Sequence, residues 1–261
     1  RSRIFGQKKI NKQEILEEYF ISRGYQSNGE FLENDIFIAG FPKSGNTWMQ
    51  HLMAGMIYGC TMDRIHNSLV RELTPDVHQV LFYKRFQERM CFKTHHLPRK
   101  EYKNIIYLLR DGRDSLTSFY NMERGLNKNV SFREIVIEGK GLHCTWENHV
   151  KEYYNNPYGA RIVEVRYENL IDDTVRELHR INDFFDLRVS NELIHEISFN
   201  CSFENMRKKE ESILWGKAKD WKKGEYFVRR GKVGSYLDEM PEDLIKYFNL
   251  HNVELLKRLN Y

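Results

Sequence analysis

The sequence predicts one α/β domain with a central parallel sheet flanked by helices. Short apolar segments alternate with helical patterns along the 261 residues. The chain has no internal repeat, low-complexity tract or Pro/Gly/Ser-rich linker, and it contains only 5 prolines, so a single domain over residues 1–261 is expected. Strands that are separated by helices need crossover connections, which make the sheet parallel and cover both of its faces.

The first elements follow from local patterns. Asn11 and Glu14 form a capping-box pattern that opens a helix, and Gly24 suits its end. An apolar strand, Asp35–Ala39, comes directly before a glycine-containing loop and a helix over Thr47–Tyr58.

The later elements extend the same alternation, and Pro241 suits the first turn of the last helix. Ligands of a parallel sheet lie beyond the carboxyl ends of its strands, so the loops after Ala39 and Leu109 are expected to form a site. The predicted elements are strands Met90–Thr94, Asn104–Leu109 and Arg161–Arg166 and helices Asp114–Glu123, Leu170–Phe184 and Pro241–Leu259.

Composition narrows the class of protein. Hydrophobic residues make up 41% and charged residues 30% of the chain, as in ordinary globular proteins. No apolar run approaches the ~18 residues of a membrane span. No signal peptide is visible, although the chain does not begin with Met and a trimmed leader stays open. The 4 cysteines are widely spaced, which argues against a zinc site or a disulfide framework and predicts a cytoplasmic protein.

The charge balance is mildly basic, with a net charge of +4 and a pI near 8.7. Such a balance suits an anionic small ligand, and it also describes an ordinary basic surface. It does not by itself indicate a nucleic-acid partner.

Residues 36–48, I-F-I-A-G-F-P-K-S-G-N-T-W, are typical of a phosphate-binding loop between a strand and a helix. Gly40 and Gly45 let backbone N–H groups approach an anion at the positive end of the following helix. A nucleotide triphosphatase carries a lysine after the second glycine, where this chain has Asn46. Its lysine is Lys43, inside the loop. The alternative is a tight strand-to-helix turn without a ligand, but the order of strand, loop and helix favours anion binding.

The stretch F-P-K-S-G-N-T-W, within loop 40–48, is similar to the 5′-phosphosulfate loop of cytosolic-type sulfotransferases, which use 3′-phosphoadenosine 5′-phosphosulfate (PAPS). Residues 107–120, Y-L-L-R-D-G-R-D-S-L-T-S-F-Y, resemble the family's 3′-phosphate motif, and residues 227–234, F-V-R-R-G-K-V-G, resemble its late R-K-G-x-x-G element. The resemblance implies a P-loop-kinase-like sulfotransferase fold. It also implies PAPS as co-substrate and 3′,5′-phosphoadenosine (PAP) as product.

Within the second stretch, the resemblance implies that Arg110 holds the 3′-phosphate through a bidentate fork. Ser118, eight residues further on in the next helix, would add a hydroxyl. The alternative for Arg110 is an ordinary ion pair with Asp111 or Asp114.

The resemblance implies further cofactor contacts in the second half of the chain. Tyr167 and Phe203 resemble the family's adenine and ribose contacts, although both are equally typical of core residues. In the late element Arg230 replaces the usual lysine, which retains the charge. The whole implied cofactor-binding set is Lys43, Ser44, Gly45, Asn46, Thr47, Trp48, Arg110, Ser118, Tyr167, Phe203, Arg229, Arg230 and Gly231.

The fourth match, F-K-T-H-H-L-P at residues 92–98, resembles the strand end that carries the family's general base. An imidazole with a pKa near 6.5 suits proton removal from an acceptor at neutral pH. Counting from Lys93 and Thr94 gives His95 as the base, and counting backwards from Leu97-Pro98 gives His96. Strand alternation would put the two rings on opposite sides, and the register of the upstream strand favours His95.

The resemblance implies a direct in-line displacement at sulfur without a metal. Lys43 and Lys93 would stabilise charge on the bridging oxygen. The acceptor would be a small molecule with a hydroxyl or an amine, held by loops Gly59–Gln79 and Gly125–His149. The implied catalytic set is His95, Lys43, Lys93 and Ser118, and candidates for an apolar acceptor wall are Phe82, Phe86, Phe119, Tyr120 and Trp146.

Two other functions stay open at this level. A P-loop nucleotide kinase or hydrolase would need a lysine at position 46 and an acidic residue at a strand end. A non-catalytic anion-binding or nucleic-acid-binding module is suggested by the basic and aromatic run at 215–230. The resemblance favours no nucleic-acid partner and no membrane span. The family's K-T-V-E dimer motif is not seen, so the oligomeric state is open.

Overall fold

The computed structural model describes residues 12–215, 222 and 226–261, which form one α/β domain. As predicted, helices alternate with the strands of a central parallel sheet. The strands are β1 (Tyr25–Ser27), β2 (Ile36–Gly40), β3 (Phe82–Lys84), β4 (Cys91–Thr94), β5 (Asn104–Leu109) and β6 (Arg161–Arg166). The helices are α1 (Lys12–Ile21), α2 (Asn46–Tyr58), α3 (Asn67–Leu73), α4 (Gly112–Gly125), α5 (Phe132–Val136), α6 (Trp146–Asn155), α7 (Tyr167–Asp172), α8 (Thr174–Phe185), α9 (Asn191–Asn200), α10 (Phe203–Glu211), α11 (Tyr236–Glu239), α12 (Glu242–His251) and α13 (Val253–Leu259).

The four predicted strands form one parallel sheet in the order β4-β2-β5-β6. The strands β5 and β6 have the predicted bounds, and β2 and β4 agree with the prediction to within one residue at each end. Ile36 of β2 lies opposite both Cys91 of β4 and Asn104 of β5, so β2 is an inner strand. The strands β1 and β3 pair antiparallel in a separate small sheet, which the sequence analysis did not predict.

The sheet divides the core into two layers. Alternate residues of a strand point to opposite faces, so Phe37 and Ala39 pack in one layer with α4, whereas Ile36 and Ile38 pack in the other with α2. All residues of β2 and β5 are buried, as expected for strands covered on both faces. Each fully buried large apolar side chain stabilises the fold by about 1.5–3 kcal/mol, and this burial makes the sheet a firm base for the loops at its edge.

The segment predicted as one helix over Leu170–Phe184 is instead two helices, α7 and α8. The break falls at Asp173, whose φ of −147° is not helical. Its carboxylate accepts a hydrogen bond from the N–H of Arg176 at 2.9 Å. An aspartate in this position satisfies one of the unpaired donors at a helix start, so a new helix begins where the pattern suggested continuity.

The helix predicted over Pro241–Leu259 is also divided, here at Asn252. The φ of Asn252 is −121°, and its side-chain amide donates to the carbonyl of Phe248 at 2.8 Å. Pro241 occupies the cap before α12 rather than its first turn.

At the N-terminal end, α1 is confirmed, but the predicted cap Asn11 lies outside the described residues. Gly24 follows α1 with a φ of 80° and donates to the carbonyl of Ile21 at 2.9 Å, as expected of a glycine that ends a helix.

Within the described part of the chain, none of the helices has the length and apolar character of a membrane-crossing segment. The cysteines Cys60, Cys91, Cys144 and Cys201 are free thiols.

The carboxyl ends of β2, β4 and β5 lie together at one edge of the sheet. Thr94 is opposite Ala39, and Leu108 is opposite Gly40. The loops that leave these three strands therefore meet, which is the position predicted for the site.

Candidate active site

The loop between β2 and α2 places open hydrogen-bond donors at this edge. Lys43 and Gly45 have positive φ angles of 70° and 100°, which turn the chain sharply from the strand into the helix. Gly45 is the N-cap of α2 and has no side chain to cap its first N–H groups. Such a helix start favours an anion, because unpaired N–H groups and the positive end of the helix dipole point to the same place.

The ammonium group of Lys43 lies over the ring of Phe227, 3.8 Å from its centroid, and 3.8 Å from the sulfur of Met122. Burial lowers the pKa of Lys43 to about 7, and the positive charges of Arg110 and Lys93 add to this effect. Among the described residues, no ion pair joins Lys43 to a carboxylate. A lysine in such surroundings gains stabilisation when an anion arrives.

Ser44 differs from the other residues of the loop. It is buried, its hydroxyl has no partner among the described residues, and its N–H donates to the carbonyl of Phe41 at 3.1 Å. The cavity beside the loop is lined by Gly45, Asn46 and Thr47 but not by Ser44. The contribution of Ser44 to a phosphate site stays a prediction.

Asn46 occupies the position at which a nucleotide triphosphatase has its lysine. Its side chain is buried and donates to the carbonyl of Phe41 at 3.1 Å. A Cβ atom on Gly40 would lie 2.7 Å from the amide oxygen of Asn46, so the glycine makes room for this side chain. Position 46 thus has a structural amide in place of a cation.

His95 directly follows β4 and lines the cavity. Its Nδ1 lies 2.8 Å from the carbonyl oxygen of Gly40. Because a carbonyl only accepts hydrogen bonds, Nδ1 carries the ring proton and Nε2 keeps its lone pair. Burial lowers the pKa of His95 to about 3, and the charge of Lys93 acts in the same direction. The ring is therefore neutral at pH 7 and has one nitrogen available to take a proton, and the lowered pKa makes this nitrogen a weaker base than that of free imidazole.

His96 does not line the cavity. Its carbonyl accepts a hydrogen bond from the hydroxyl of Tyr153 at 2.8 Å, and its ring lies 3.9 Å from that of His78. The ring of His95 also lies near His78, at 5.5 Å. Strand alternation therefore does not separate the two rings as predicted, because β4 ends at Thr94 and both rings lie near His78.

Lys93 forms an ion pair that the sequence analysis missed. Its ammonium lies 2.7 Å from the carboxylate of Asp76, and both side chains are largely buried. The charge of Lys93 lowers the pKa of Asp76 against the opposing effect of burial. Lys93 therefore lines the cavity as a cation that is paired with Asp76, a partner that the sequence analysis did not foresee.

Arg110, at the carboxyl end of β5, is held over the ring of Tyr167 at 4.0 Å and donates to the carbonyl of Lys43 at 2.9 Å. Its distance to the carboxylate of Asp114 is 3.7 Å. Asp111 pairs with Arg113 at 2.7 Å, so of the two ion-pair partners considered for Arg110 the described residues show Asp114 and not Asp111. The Nε of Arg110 is buried and has no partner among the described residues.

Two glycines allow close contacts with the predicted adenine and ribose residues. A Cβ atom on Gly45 would lie 2.9 Å from the ring of Tyr167, and one on Gly231 would overlap the ring of Phe203. Gly231 also has a φ of 55°, which favours glycine. Both aromatic residues line the cavity. Trp48 completes this side, with its indole N–H donating to the carbonyl of Cys201 at 2.7 Å.

The late element carries arginines that already have acidic partners. Arg229 lies 2.7 Å from the carboxylate of Glu239, and Arg230 contacts Glu239 at 2.7 Å and Asp238 at 3.3 Å. The segment is fixed to α4 because the carboxylate of Asp114 accepts hydrogen bonds from the N–H groups of Gly234 and Tyr236, at 2.8 and 3.0 Å.

These parts surround one cavity of about 830 Å³. Ser118 lines it from α4, opposite the loop after β2. The residues predicted as site members that line it are Lys43, Gly45, Asn46, Thr47, Trp48, Lys93, His95, Arg110, Ser118, Tyr167, Phe203, Arg229, Arg230 and Gly231. Its volume suits a nucleotide-sized ligand together with a small second molecule. In the described part of the chain, no group of His, Cys, Asp and Glu has the arrangement of a metal site.

A family model described as "Sulfotransferase domain" matches residues 33–260 of the chain. The protein belongs to the sulfotransferase family. It is 25% identical over 247 residues to Sulfotransferase 1E1 of Mus musculus, covering 86% of this chain and 84% of the relative. It is 27% identical over 252 residues to Sulfotransferase 1E1 of Homo sapiens, with coverage of 86% and 84%. An amine sulfotransferase of Oryctolagus cuniculus is 24% identical over 241 residues, with coverage of 84% and 80%.

Solved structures share the fold of the chain. A retinol dehydratase in complex with androsterone and the inactive cofactor PAP has a TM-score of 0.69 and 21% identity, covering 88% of this chain and 83% of that chain. Mouse sulfotransferase SULT7A1 complexed with PAP has a TM-score of 0.65 and 21% identity, covering 88% of each chain. The predicted family and sulfotransferase fold are thus confirmed.

The part of the cavity for which an apolar acceptor site was predicted is more polar than expected. Of the five aromatic residues proposed for it, only Phe119 lines the cavity. Phe82 stacks on Phe20, Tyr120 stacks on Phe132, Phe86 is exposed and Trp146 is buried in the core. The two predicted loops do contribute, and they place the polar residues Arg71, Asp76, His78, Gln79 and His143 on the lining. Sequence patterns do not reveal them, because Arg71 is one polar residue of the short helix α3 and the others are single polar residues outside helices and strands.

Proposed function

We propose that the protein transfers the sulfuryl group of PAPS to the hydroxyl or amine of a small acceptor, with His95 as the general base. The observation that carries this proposal is the 2.8 Å contact between the Nδ1 of His95 and the carbonyl of Gly40. It leaves the basic nitrogen of a neutral ring in the same cavity as Lys43. A base beside an anion-binding loop is what sulfuryl transfer to a protonated acceptor needs.

Binding of PAPS is supported at both ends of the cavity. The open N-terminus of α2 and Lys43 suit a 5′-phosphosulfate, and Arg110 with the late element suits a 3′-phosphate. Tyr167, whose ring packs against the guanidinium of Arg110 at 4.0 Å, adds an aromatic side chain to the lining. The presence of PAP in the structures of retinol dehydratase and SULT7A1 agrees with this choice of donor.

The proposed reaction is an in-line displacement at sulfur. The acceptor oxygen or nitrogen forms a bond to sulfur while the bond between sulfur and the bridging oxygen breaks, so PAP leaves. The acceptor proton passes to Nε2 of His95, and Lys43 stabilises the charge that develops on the bridging oxygen. Ser118 completes the donor site from α4. No metal is required in this scheme.

The alternative of a P-loop kinase or hydrolase is opposed by the family assignment and by Asn46. The amide of Asn46 is buried against the carbonyl of Phe41, so it supplies no charge to a β- or γ-phosphate.

A cytoplasmic location and a domain over residues 1–261 remain predictions.

A thermal-shift titration tests donor binding. PAP is compared with ATP plus Mg²⁺, and a ligand at 100 times its Kd stabilises a protein by about 2.7 kcal/mol. We expect the melting temperature to rise with PAP alone. A rise with ATP and Mg²⁺ but not with PAP would contradict the proposal and favour a kinase.

Substitution of the two histidines tests the base. In a transfer assay with labelled PAPS, we expect His95→Ala to lower kcat by about 100- to 10,000-fold, the contribution of general-base catalysis, and to leave PAP affinity within about twofold. His96→Ala is the matched control and should retain most of the activity. The reverse result would show that the base is His96.

A further inference from the structure

The segment Pro75–His78 lies alongside β4 and is fixed to it. The N–H of Val77 donates to the carbonyl of Lys93 at 3.0 Å, and the N–H of Lys93 donates to the carbonyl of Pro75 at 2.8 Å. The side-chain amide of Asn28 donates to the carbonyl of Val77 at 2.8 Å. These contacts hold the side chain of His78 at the point where β4 ends.

His78 accepts a hydrogen bond from the backbone of His95. The distance from the N–H of His95 to Nε2 of His78 is 2.6 Å. The pairing of β4 with β2 stops at Thr94, so the next amide needs a partner outside the ladder. Because Nε2 of His78 accepts, the ring of His78 is neutral and carries its proton on Nδ1.

His95 is consequently held through its backbone and through its ring. Its amide is bound by His78, and its Nδ1 is bound by the carbonyl of Gly40. The first contact fixes the backbone, and the second fixes the ring. Together they determine where Nε2 lies, and a shift of about 1 Å in a catalytic group is enough to lower a rate by about 100-fold.

We propose that His78 is a positioning residue that holds the general base His95 through this amide hydrogen bond. The proposal rests on the proposed function of His95. It assigns a role to a histidine in the loop Gly59–Gln79, where no sequence motif indicates one.

The surroundings keep His78 in the accepting state. Burial lowers the pKa of His78, and the nearby His143, Lys93 and Arg99 act in the same direction against the opposing charge of Asp76. The ring planes of His78 and His143 are nearly parallel, with 6° between them and centroids 5.7 Å apart. A neutral, packed imidazole is able to serve as a fixed acceptor at pH 7.

Substitutions of His78 separate the hydrogen bond from simple packing. In His78→Gln, the end of the side chain reaches approximately the position of Nε2 and can accept. His78→Leu fills a similar space but cannot accept. His96→Gln is the matched control, because it removes the ring that packs on His78 and leaves the amide of His95 in place. Each variant is assayed with labelled PAPS and with whichever of an aliphatic alcohol, a phenol or an amine the wild-type protein uses best.

We expect His78→Leu to lower kcat by about 10- to 100-fold and to leave PAP affinity within twofold. His78→Gln should recover most of this loss, and His96→Gln should lower kcat much less than His78→Leu. If His78→Gln is as impaired as His78→Leu, the proposal is wrong. If His78→Leu does not fold, His78→Asn replaces it, since its side chain ends short of the amide. An Asn variant as active as the Gln variant would overturn the proposal.

A second readout does not depend on catalysis. The chain has 10 histidines, so selective ¹⁵N-histidine labelling gives few amide signals, and His95→Ala identifies the signal of His95. A short hydrogen bond shifts an amide proton downfield. This shift should disappear in His78→Leu and persist in His78→Gln. An unchanged His95 signal in His78→Leu would refute the positioning role, even if the protein sulfates none of the acceptors. If the wild-type protein transfers no sulfuryl group but the His95 signal responds as expected, only the proposed function is refuted.

Discussion

The two ends of the cavity hold their positive charge in different ways. At the loop after β2, the first N–H groups of α2 are not capped, and Lys43 lies against Phe227 and Met122. At the other end, Arg229 and Arg230 of the late element are paired with Glu239. One end thus presents open donors, and the other presents donors that are already in use.

This difference predicts different responses to a nucleotide ligand. An anion at the loop replaces no carboxylate among the described residues, so its whole interaction contributes to binding. A phosphate at the late element has to compete with Glu239 or exchange with it. The loop end is therefore expected to provide most of the electrostatic stabilisation, and the late element is expected to adjust the affinity.

The largest effect should come from Lys43→Met. We expect kcat to fall by about 100- to 1,000-fold, because one preorganised group facing developing charge contributes this much, while PAP affinity falls much less. The measurement is single-turnover transfer with labelled PAPS. Lys84→Met, on an exposed residue of β3, is the control. An unchanged rate in Lys43→Met would show that Lys43 does not stabilise the charge that develops during transfer.

The substitution Arg110→Ala tests the proposed contact between Arg110 and the 3′-phosphate of PAP. PAP affinity should fall by about 10- to 150-fold, because a hydrogen bond to a charged group contributes about 1.5–3 kcal/mol. Affinity for adenosine 5′-phosphate, which lacks the 3′-phosphate, should hardly change. Both are measured by calorimetry, with Arg124→Ala on the exposed end of α4 as control. Equal losses for the two ligands would show that Arg110 does not distinguish them.

The pH dependence of PAP binding should come from the loop end alone. The pKa of Lys43 is lowered to about 7 in the free protein, and a bound phosphate would raise it. Above pH 7 binding must therefore take up a proton, so the Kd rises by at most about tenfold per pH unit. Calorimetry between pH 7 and 9 measures this slope. Lys43→Arg should flatten it, because arginine stays charged, and a slope that persists in that variant would implicate another group.

The smallest effect is expected from Glu239→Gln. This change frees Arg229 and leaves Arg230 paired only with Asp238, so PAP affinity should increase by about twofold to fivefold, in keeping with the modest strength of ion pairs near the surface. Glu242→Gln, at the exposed start of α12, is the matched control. A decrease in affinity would mean that Glu239 organises the arginines for the phosphate and does not compete with it.

Much of the site was predictable because it depends on short stretches of chain. The strand β2, the two loop glycines and the start of α2 lie within 13 residues in the pattern that the sequence indicates. Arg110 directly follows β5 and Ser118 lies on the next element, α4, so one contiguous stretch of chain supplies both residues. The breaks at Asp173 and Asn252 were missed because a capping side chain overrides a helical pattern only when its local geometry forms.

The sequence alone determined the parallel α/β sheet, the anion-binding loop and the family, because each of these follows from local periodicity or from contiguous motifs. Only the tertiary structure decided that His95 and not His96 lines the cavity, that Asp76 neutralises Lys93, and that Glu239 holds Arg229. The physical reason is that charge and orientation in a site depend on partners from distant segments. The identity of these partners is set by how the loops pack on the edge of the sheet, which no spacing along the chain records.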